Sequence, residues 1–334
     1  MSFVTFRVIF IAACISLAVG PAGFWLTRKL KLMDIPGSAP HKKHHAPMPI
    51  AGGFVLCATL VVTYLVEPNL RSSALWPILL TAGIVFLFGL IDDARCLPVW
   101  VKLAGQLLAA LVLMRLGVQV LLFQQAWLNW ALTLFWLVGV TNAYNFVDSM
   151  DGLATGLAAL ASAFFMLVTI QSQQQQLSLL STALFGACIG SFFYNAPPAY
   201  FFLGDSGSQF LGFFLAGMAI AYNPLGFLRS QSWFIPILLV GVPIFDTTLV
   251  VFSRLRRRLP VYQASLDHTY HRLVALGFDS NRAVLSMHIA SILLGCLAFM
   301  ALSMEPVLAN TIFASCLLAG TFLILFLDNK KRWP

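Results

Sequence analysis

Carboxylate, amide, histidine and glycine residues are concentrated in five short clusters along an otherwise apolar chain. One cluster ends in the adjacent carboxylates Asp92 and Asp93, which repel each other unless a cation or a proton lies beside them. A bound divalent metal ion would remove this repulsion, and a solvated pair at the end of a helix is the alternative. The pair is therefore a candidate catalytic or metal-binding site.

The next cluster has four polar side chains spaced three residues apart, at Asn142, Asn145, Asp148 and Asp151. Neighbouring members can lie side by side on a helix, and the row turns by about 60° per step, so it would curve around a site. Amide and carboxylate groups suit both hydrogen bonding to a nucleotide and oxygen ligation of a hard metal ion. Helix capping and turn formation are the alternative roles.

Two further clusters add an anion-binding turn and a cationic surface. The segment 204–208 begins a predicted helix, so its backbone N–H groups can approach an anion while Asp205 reaches a metal ion, although a helix N-cap would explain Asp205 equally well. In a later polar loop, His268, His271 and Arg272 would share one side of a helix and present hydrogen-bond donors. A zinc site in that loop is disfavoured, because no third soft ligand is nearby.

The fifth cluster, in the first polar loop, is the weakest. Lys42 and His44 can bind phosphate, and the alternative is an ordinary basic loop beside a membrane. Taken together, hard oxygen ligands, basic side chains and glycine-shaped turns predict a site that handles phosphates through a magnesium ion.

The composition shows what must position these clusters. Of 334 residues, 60% are hydrophobic and 10% are charged, and mean hydropathy is +0.87, whereas soluble domains are about half apolar and about a quarter charged. This excludes a soluble globular enzyme, a secreted disulfide scaffold and a disordered binder. Six scattered cysteines indicate buried small side chains, and no disulfide or zinc site. We predict one all-α polytopic integral membrane domain over residues 1–334.

About 20 apolar residues span a bilayer. The chain has eleven such segments, at about 4–25, 49–66, 73–91, 99–122, 126–143, 153–170, 177–195, 207–222, 232–252, 283–303 and 307–327. The first is too long for the core of a signal peptide, and basic residues follow it, so we predict an uncleaved span.

The distribution of charge predicts the orientation. With the N-terminus outside, 16 of the 20 Lys and Arg residues lie in inner segments, which the positive-inside rule favours. This rule also explains the net charge of +8 and the run Arg256–Arg258 without nucleic acid as a partner. Most acidic residues and five of six histidines lie on the same side, although the rule does not require it. We therefore predict an active site on the cytoplasmic face and a cytoplasmic C-terminus.

The order of these clusters resembles that of the polyprenyl-phosphate N-acetylhexosamine-1-phosphate transferases, a family of membrane enzymes that start the synthesis of cell-envelope glycans. The resemblance covers most of the chain, over 34–277. The residues that match its ordered motifs are Asp34, Pro36, Lys42, His44, Pro47, Pro49, Gly52 and Gly53; Asp92, Asp93, Lys102 and Gln106; Asn142, Asn145, Asp148, Asp151 and Gly152; Gly204 to Ser208; Pro243, Asp246 and Thr247; and Asp267, His268, His271, Arg272 and Leu273.

Four positions depart from the family pattern. His41 and Ile50 stand where arginines are usual, Leu266 replaces a frequent arginine, and Tyr270 stands where other branches have another histidine. The last departure argues against a MurNAc-pentapeptide substrate, and together they leave the sugar open.

The resemblance implies transfer of an N-acetylhexosamine 1-phosphate from a UDP-sugar to undecaprenyl phosphate, with release of UMP. The product, a lipid-diphosphate sugar, would initiate O-antigen or a similar glycan at a bacterial inner membrane, with the N-terminus in the periplasm. The implied cofactor is Mg²⁺, with Mn²⁺ as an alternative, and a homodimer is one alternative for the oligomeric state. A direct displacement and a phospho-enzyme are both open.

The resemblance also implies roles for individual residues. Asp92 and Asp93 would be catalytic in different roles, because adjacent side chains on a helix point about 100° apart, and the sequence does not assign either role to one of them. Asp205 and Asp93 would bind the metal ion. The implied substrate-binding residues are Lys42, His44, Lys102, Asn142, Asn145, Asp148, Asp151, His268, His271 and Arg272.

Two rival functions fit less well. A transporter would place its charged groups near the bilayer midplane, whereas here they lie at the ends of the predicted spans. A phosphotransferase of the CDP-alcohol type would carry an Ala-Arg pair soon after the D-x-x-D-G motif, and this chain lacks that pair after Gly152.

Overall fold

The computed structural model describes residues 3–36, 46–71, 74–260 and 267–329. These residues form fifteen α-helices and two short strands. In chain order the elements are α1 Phe3–Lys29, β1 Met33–Asp34, β2 Met48–Pro49, α2 Gly52–Val66, α3 Pro68–Arg71, α4 Trp76–Arg95, α5 Val99–Arg115, α6 Ala126–Val147, α7 Leu153–Gln171, α8 Gln175–Asn195, α9 Gly204–Ala221, α10 Arg229–Ser232, α11 Ile235–Leu239, α12 Gly241–Arg256, α13 Thr269–Ala275, α14 Ser280–Leu302 and α15 Pro306–Leu327.

The helices confirm an all-α membrane protein. Within the described ranges, six helices are long and apolar enough to cross a membrane, namely α1, α4, α7, α8, α14 and α15, and a bent pair would make seven. The other predicted segments coincide with helices that are shorter or less apolar, such as α2 with 15 residues. The predicted number of eleven spans therefore stays a prediction.

The predicted segment 232–252 does not form one continuous helix. The chain bends by 70° between the helical stretches Arg229–Leu239 and Gly241–Arg256. The physical reason is Pro243, which has no N–H to donate to the carbonyl of Leu239 and whose ring crowds that carbonyl. After the bend, α12 packs against α6 and α14.

Helix α9 lies at the centre of the bundle and is buried along nearly its whole length. It packs closely on α4 and α6. A Cβ added at Gly212 would lie 2.8 Å from the Cα of Thr141, so only glycine allows α9 to approach α6 this closely. In a membrane such contacts between small residues hold helices together, because lipid provides no hydrophobic drive between them. The close packing of α9 on its neighbours thereby fixes the position of its first residues.

A short antiparallel hairpin joins the first polar loop to the start of α9. Met33 pairs with Pro49 in the two strands. Beyond them, Phe202 donates its N–H to the carbonyl of Pro49 at 2.9 Å, and Gly52 donates to the carbonyl of Phe202 at 3.0 Å. The beginning of α2 is thus docked against the segment that leads into α9.

Candidate active site

The N-terminus of α9 is capped from another helix. Gly204 has φ +73°, a left-handed conformation that favours glycine, and it starts the helix. Asp93, at the end of α4, accepts the backbone N–H groups of Asp205 at 2.8 Å and Ser206 at 3.0 Å, one on each carboxylate oxygen. Since these N–H groups have no partner inside the helix, the carboxylate satisfies them and complements the helix dipole. The structure thus gives Asp93 a capping contact that holds Asp205.

Two glycines let neighbouring helices approach this N-terminus. A Cβ added at Gly89 of α4 would lie 2.5 Å from the Cα of Ser206, and one added at Gly53 of α2 would lie 2.6 Å from the amide nitrogen of Gly207. Real Cβ atoms do not come this close to backbone, so both positions require glycine. The start of α9 is therefore enclosed by backbone on two sides.

A lysine lies between two carboxylates beside this N-terminus. The Nζ atom of Lys102, in the first turns of α5, is 2.5 Å from Oδ2 of Asp92 and 2.5 Å from Oδ2 of Asp205. The turn from α4 to α5 brings it there, since Cys96 has φ 49° and Leu97 donates its N–H to Oδ1 of Asp92 at 2.5 Å. The ammonium group compensates the charge of both acids.

Helix α6 supplies the next contact. Asn145 donates from Nδ2 to Oδ1 of Asp205 at 2.9 Å and to the hydroxyl of Ser208 at 3.0 Å. We call Asp92, Lys102, Asn145 and Asp205 the Lys102 cluster. It joins four helices, and the side chains of Lys102 and Asp205 keep 26% and 28% of their surface exposed, so a ligand can reach them.

Asp148, just after α6, lies among other carboxylates. No described group donates a hydrogen bond to its carboxylate. Burial raises the pKa of Asp148 well above its ordinary value, and the charges of Asp205, Asp93 and Asp151 raise it further. Asp151 itself accepts the backbone N–H of Ala199 at 3.1 Å and so ties two loops together. A bound cation would offset this repulsion and favour the ionised form, so Asp148 is a candidate metal ligand.

A second group of side chains forms around the bent helix α12. Asp246 is fully buried and accepts Nδ1–H of His268 at 2.8 Å and the backbone N–H of Thr269 at 2.6 Å. It therefore caps α13 and orients the histidine ring, leaving Nε2 of His268 for another partner. The ring centroids of His268 and Phe146 are 6.3 Å apart, which puts this histidine beside the residue that follows Asn145.

Tyr270 and His271 complete this histidine cluster, which we define as Asp246, His268, Tyr270 and His271. The hydroxyl of Tyr270 lies 2.5 Å from Nε2 of His271. Burial raises the pKa of Tyr270, so it stays a neutral phenol. The tyrosine thus helps to fix the orientation of the His271 ring.

The structure changes the assignment of Arg272. Its side chain is fully buried, and its guanidinium donates to the carbonyls of Asp267 and Leu327, both at 2.9 Å, and to the hydroxyl of Ser253 at 2.7 Å. A group enclosed in this way serves structure. Binding of a sugar diphosphate by Arg272, as the family resemblance implies, has no support in these contacts.

Asn142 also points into the protein. It donates to Gln106 at 2.8 Å and to the carbonyl of Val138 at 2.8 Å, and Gln106 in turn donates to Gln209 at 3.0 Å. This buried amide network lies one helical turn deeper than Asn145 and Asp205. Lys42 and His44 lie outside the described residues.

The Lys102 cluster and the neighbouring Asp148 fit a magnesium ion in their chemistry. Asp92, Asp148 and Asp205 offer the hard oxygen atoms that Mg²⁺ prefers, and the carboxylate of Asp148 has no partner among the described groups. In the described part of the chain, no group of three or more acidic, histidine or cysteine side chains is already arranged around a metal position. The oxygens of Asp93 are engaged by backbone, so Asp148 and Asp92 fit better than Asp93 beside Asp205.

Sequence reasoning placed Asp246 in a motif but gave it no role. The signal was present, because a carboxylate inside an apolar helix needs a partner. The partner, His268, is 22 residues away, and only the fold brings the two together.

Comparison with known proteins adds three relatives. Residues 75–223 match the family model described as glycosyl transferase family 4. The chain is 30% identical over 273 residues to a probable undecaprenyl-phosphate N-acetylglucosaminyl 1-phosphate transferase of Bacillus subtilis, covering 78% of this chain and 75% of the relative. It is 32% identical to a decaprenyl-phosphate N-acetylglucosaminephosphotransferase of Mycobacterium tuberculosis, covering 74% and 70%. It is also 32% identical to a phospho-N-acetylmuramoyl-pentapeptide-transferase of Bacillus mycoides, covering 63% and 72%.

Proposed function

The chain belongs to glycosyl transferase family 4, and on that premise we propose that it transfers an N-acetylhexosamine 1-phosphate from a UDP-sugar to a polyprenyl phosphate. The relatives named for polyprenyl-phosphate N-acetylglucosamine transfer support this reaction. We further propose undecaprenyl phosphate as the lipid, the cytoplasmic face of a bacterial inner membrane as the location, and initiation of O-antigen or a similar envelope glycan as the role.

One observation carries the proposal: an ammonium group lies between two carboxylates at the ends of membrane helices. Lys102, Asp92 and Asp205 meet where α4, α5 and α9 reach the end of the bundle. A lipid phosphate sits at the boundary of the membrane, and a nucleotide sugar approaches from water. A site at this depth is accessible to both.

The reaction joins two anions, so charge compensation is its main requirement. A phosphate monoester has its second pKa near about 6 and is largely ionised at neutral pH, so the lipid phosphate needs positioning more than deprotonation. Its oxygen forms a bond to the β-phosphorus of the UDP-sugar, and the bond from that phosphorus to the bridging oxygen breaks, releasing UMP. Lys102 can pair with a phosphate oxygen throughout, and Asn145 holds Asp205 in place.

Magnesium, when bound, would supply compensation of the phosphate charges. Asp205 and Asp148 would hold it, with Asp92 contributing to the metal ion or to the lipid phosphate. Asp93 would act by capping α9. His268 and His271 would donate hydrogen bonds to the diphosphate and the sugar.

The test is release of UMP by the purified protein in detergent, with undecaprenyl phosphate, Mg²⁺ and a panel of UDP-N-acetylhexosamines. We expect release that requires both lipid and metal ion, and the best panel member would identify the sugar. Lys102→Met provides the matched negative control, because it keeps the length of the side chain and removes its charge. Release that continues without lipid, or that is unchanged in Lys102→Met, would overturn the proposal.

A further inference from the structure

A buried carboxylate outside the Lys102 cluster connects the last helix to the histidine cluster. Asp328 directly follows α15 and is 5% exposed. Its oxygens accept hydrogen bonds from the hydroxyl of Ser253 at 2.6 Å, from Nε of Arg256 at 2.6 Å and from Nη1 of Arg272 at 3.1 Å. Three side chains from α12 and α13 therefore converge on one carboxylate at the end of α15.

This contact is notable because α15 packs little elsewhere. Only 6% of the residues in its most apolar stretch are buried inside the chain, compared with 72% for α8. A helix with so little of its surface buried in the chain does not need a buried carboxylate for its own packing. The burial of Asp328 is therefore better explained by its contacts with α12 and α13 than by the packing of α15.

Arg272, one of the partners of Asp328, lies close to the histidines in the chain. Arg272 lies on α13, one turn after His268, and its guanidinium is fully buried. The other end of α13 is fixed by Asp246, which accepts the backbone N–H of Thr269 at 2.6 Å. The seven-residue helix is thus held at its first turn by Asp246 and near its middle by Asp328.

We propose that Asp328 is a positioning residue that holds α13, and with it His268 and His271, against the active site. The kinetic part of this inference rests on the proposed function, whereas the structural part does not. Replacing the carboxylate by a neutral amide leaves a buried guanidinium without the charge that it contacts, and such a change is strongly unfavourable. We expect α13 to shift while α4, α5 and α9 keep their places.

The experiment compares Asp328→Asn with Asp279→Asn in the full-length protein. Asp279 is a matched control, because it is the exposed N-cap of α14, with 57% of its side-chain surface accessible, and asparagine caps a helix about as well as aspartate. The first readout is hydrogen–deuterium exchange of peptides covering 267–276, 85–106 and 204–221. We expect faster exchange in the first peptide of Asp328→Asn only, and no change in Asp279→Asn.

The second readout is kinetic. We expect the KM for the UDP-sugar to rise by about ten- to hundredfold in Asp328→Asn, the range typical of partners that orient ligand side chains, with little change in the KM for the polyprenyl phosphate. Exchange that is unchanged over 267–276, or KM values that rise equally for both substrates, would overturn the inference. If the wild-type protein released no UMP, the proposed function would fail, and the exchange readout would still decide whether Asp328 anchors α13.

Discussion

The Lys102 cluster and the histidine cluster are held by different kinds of contact. Around Asp205, backbone meets backbone, since α4 and α2 approach α9 through Gly89 and Gly53, and Asp93 binds two backbone N–H groups. Around His268, side chains make most of the contacts, and buried carboxylates bind arginines and the histidine itself. The Lys102 cluster is thus built into the helix bundle, whereas the histidine cluster is joined to the bundle through side-chain contacts.

This difference predicts two patterns of response to mutation. Backbone contacts have no rotamers with which to adjust, so a change near Asp205 displaces the whole N-terminus of α9. In an ion-pair network with several partners, removing one partner leaves the others in place. Single changes around α13 should therefore weaken substrate binding only in part. The following predictions are ordered by the size of the expected effect.

The largest effect is expected for Asp205→Asn. The amide keeps the size of the side chain but removes the charge that Lys102 contacts and that would bind a metal ion. We expect kcat to fall by at least about 10³-fold, with normal membrane insertion, in the UMP-release assay. Loss of Mg²⁺-dependent protection against thermal unfolding is the accompanying readout. Activity near that of the wild type would remove Asp205 from the centre of the site.

A smaller but still large effect is expected for Gly89→Ala. The added Cβ would lie 2.5 Å from the Cα of Ser206, so α4 or α9 must move, which costs about 1–3 kcal/mol by analogy with overpacked cores. Gly83→Ala on the same helix is the control, because a Cβ there meets nothing within 4 Å, and alanine is the better helix former. Thermal unfolding in detergent should show a lower Tm for Gly89→Ala and an equal or higher Tm for Gly83→Ala. Equal shifts in both variants would contradict close packing at Gly89.

Much of this arrangement was predictable because polar residues are conspicuous in an apolar chain. Ten of the eleven predicted segments each lie mainly within one helix, and the segment 232–252 is divided by a bend. The clusters at Asp92, Asn145 and Asp205 do come together. The pairing of partners was not predictable. The capping of α9 by Asp93 joins residues 112 positions apart, and spacing along one helix says nothing about contacts between helices.

The burial of Arg272 shows the same limit from the other side. The sequence predicts that it shares a face with His268 on a helix, and the family resemblance implies that it binds substrate. Its environment depends on Asp328 and Ser253, which belong to other helices. The bend near Val240 did have a local signal in Gly241 and Pro243, and the high hydropathy of the segment concealed it.

An intermediate effect with a defined pH dependence is expected for Asp328→Asn. Burial alone would raise the pKa of Asp328, but hydrogen bonds from Arg256, Ser253 and Arg272 outweigh it and lower the pKa to about 2. This pKa is lower than that of an aspartate in the unfolded chain, which is about 3.9. The ionised carboxylate therefore stabilises the fold by about 2 kcal/mol at pH values above the unfolded pKa, and this contribution is lost as the pH falls towards 2.

The difference in unfolding free energy between the wild type and Asp328→Asn should therefore be greatest at neutral pH and shrink below about pH 4. Asp279→Asn, at an exposed carboxylate, should change stability by no more than about 0.5 kcal/mol at any pH. Denaturant unfolding in detergent at pH 7, 5 and 3.5 measures both. A difference that grows on acidification would mean that Asp328 does not act through its charged form.

The smallest effect is expected for Arg257→Gln. This variant tests whether Arg257 serves only in a structural ion pair or contacts the substrate. Asp267 binds Arg257 at 2.6 Å and Arg254 at 3.2 Å, so one arginine remains when the other is removed. Burial raises the pKa of Asp267, and the two arginines, Arg257 foremost, lower it overall. We expect the KM for the UDP-sugar to change by less than about threefold, and stability by less than about 1 kcal/mol, as for partly exposed ion pairs.

Arg254→Gln should have the larger effect, because Arg254 is 5% exposed and also donates to the carbonyl of Pro260. If Arg257→Gln instead raised that KM as strongly as Asp328→Asn does, the arginine would contact the substrate itself, and the histidine cluster would extend to the run Arg256–Arg258.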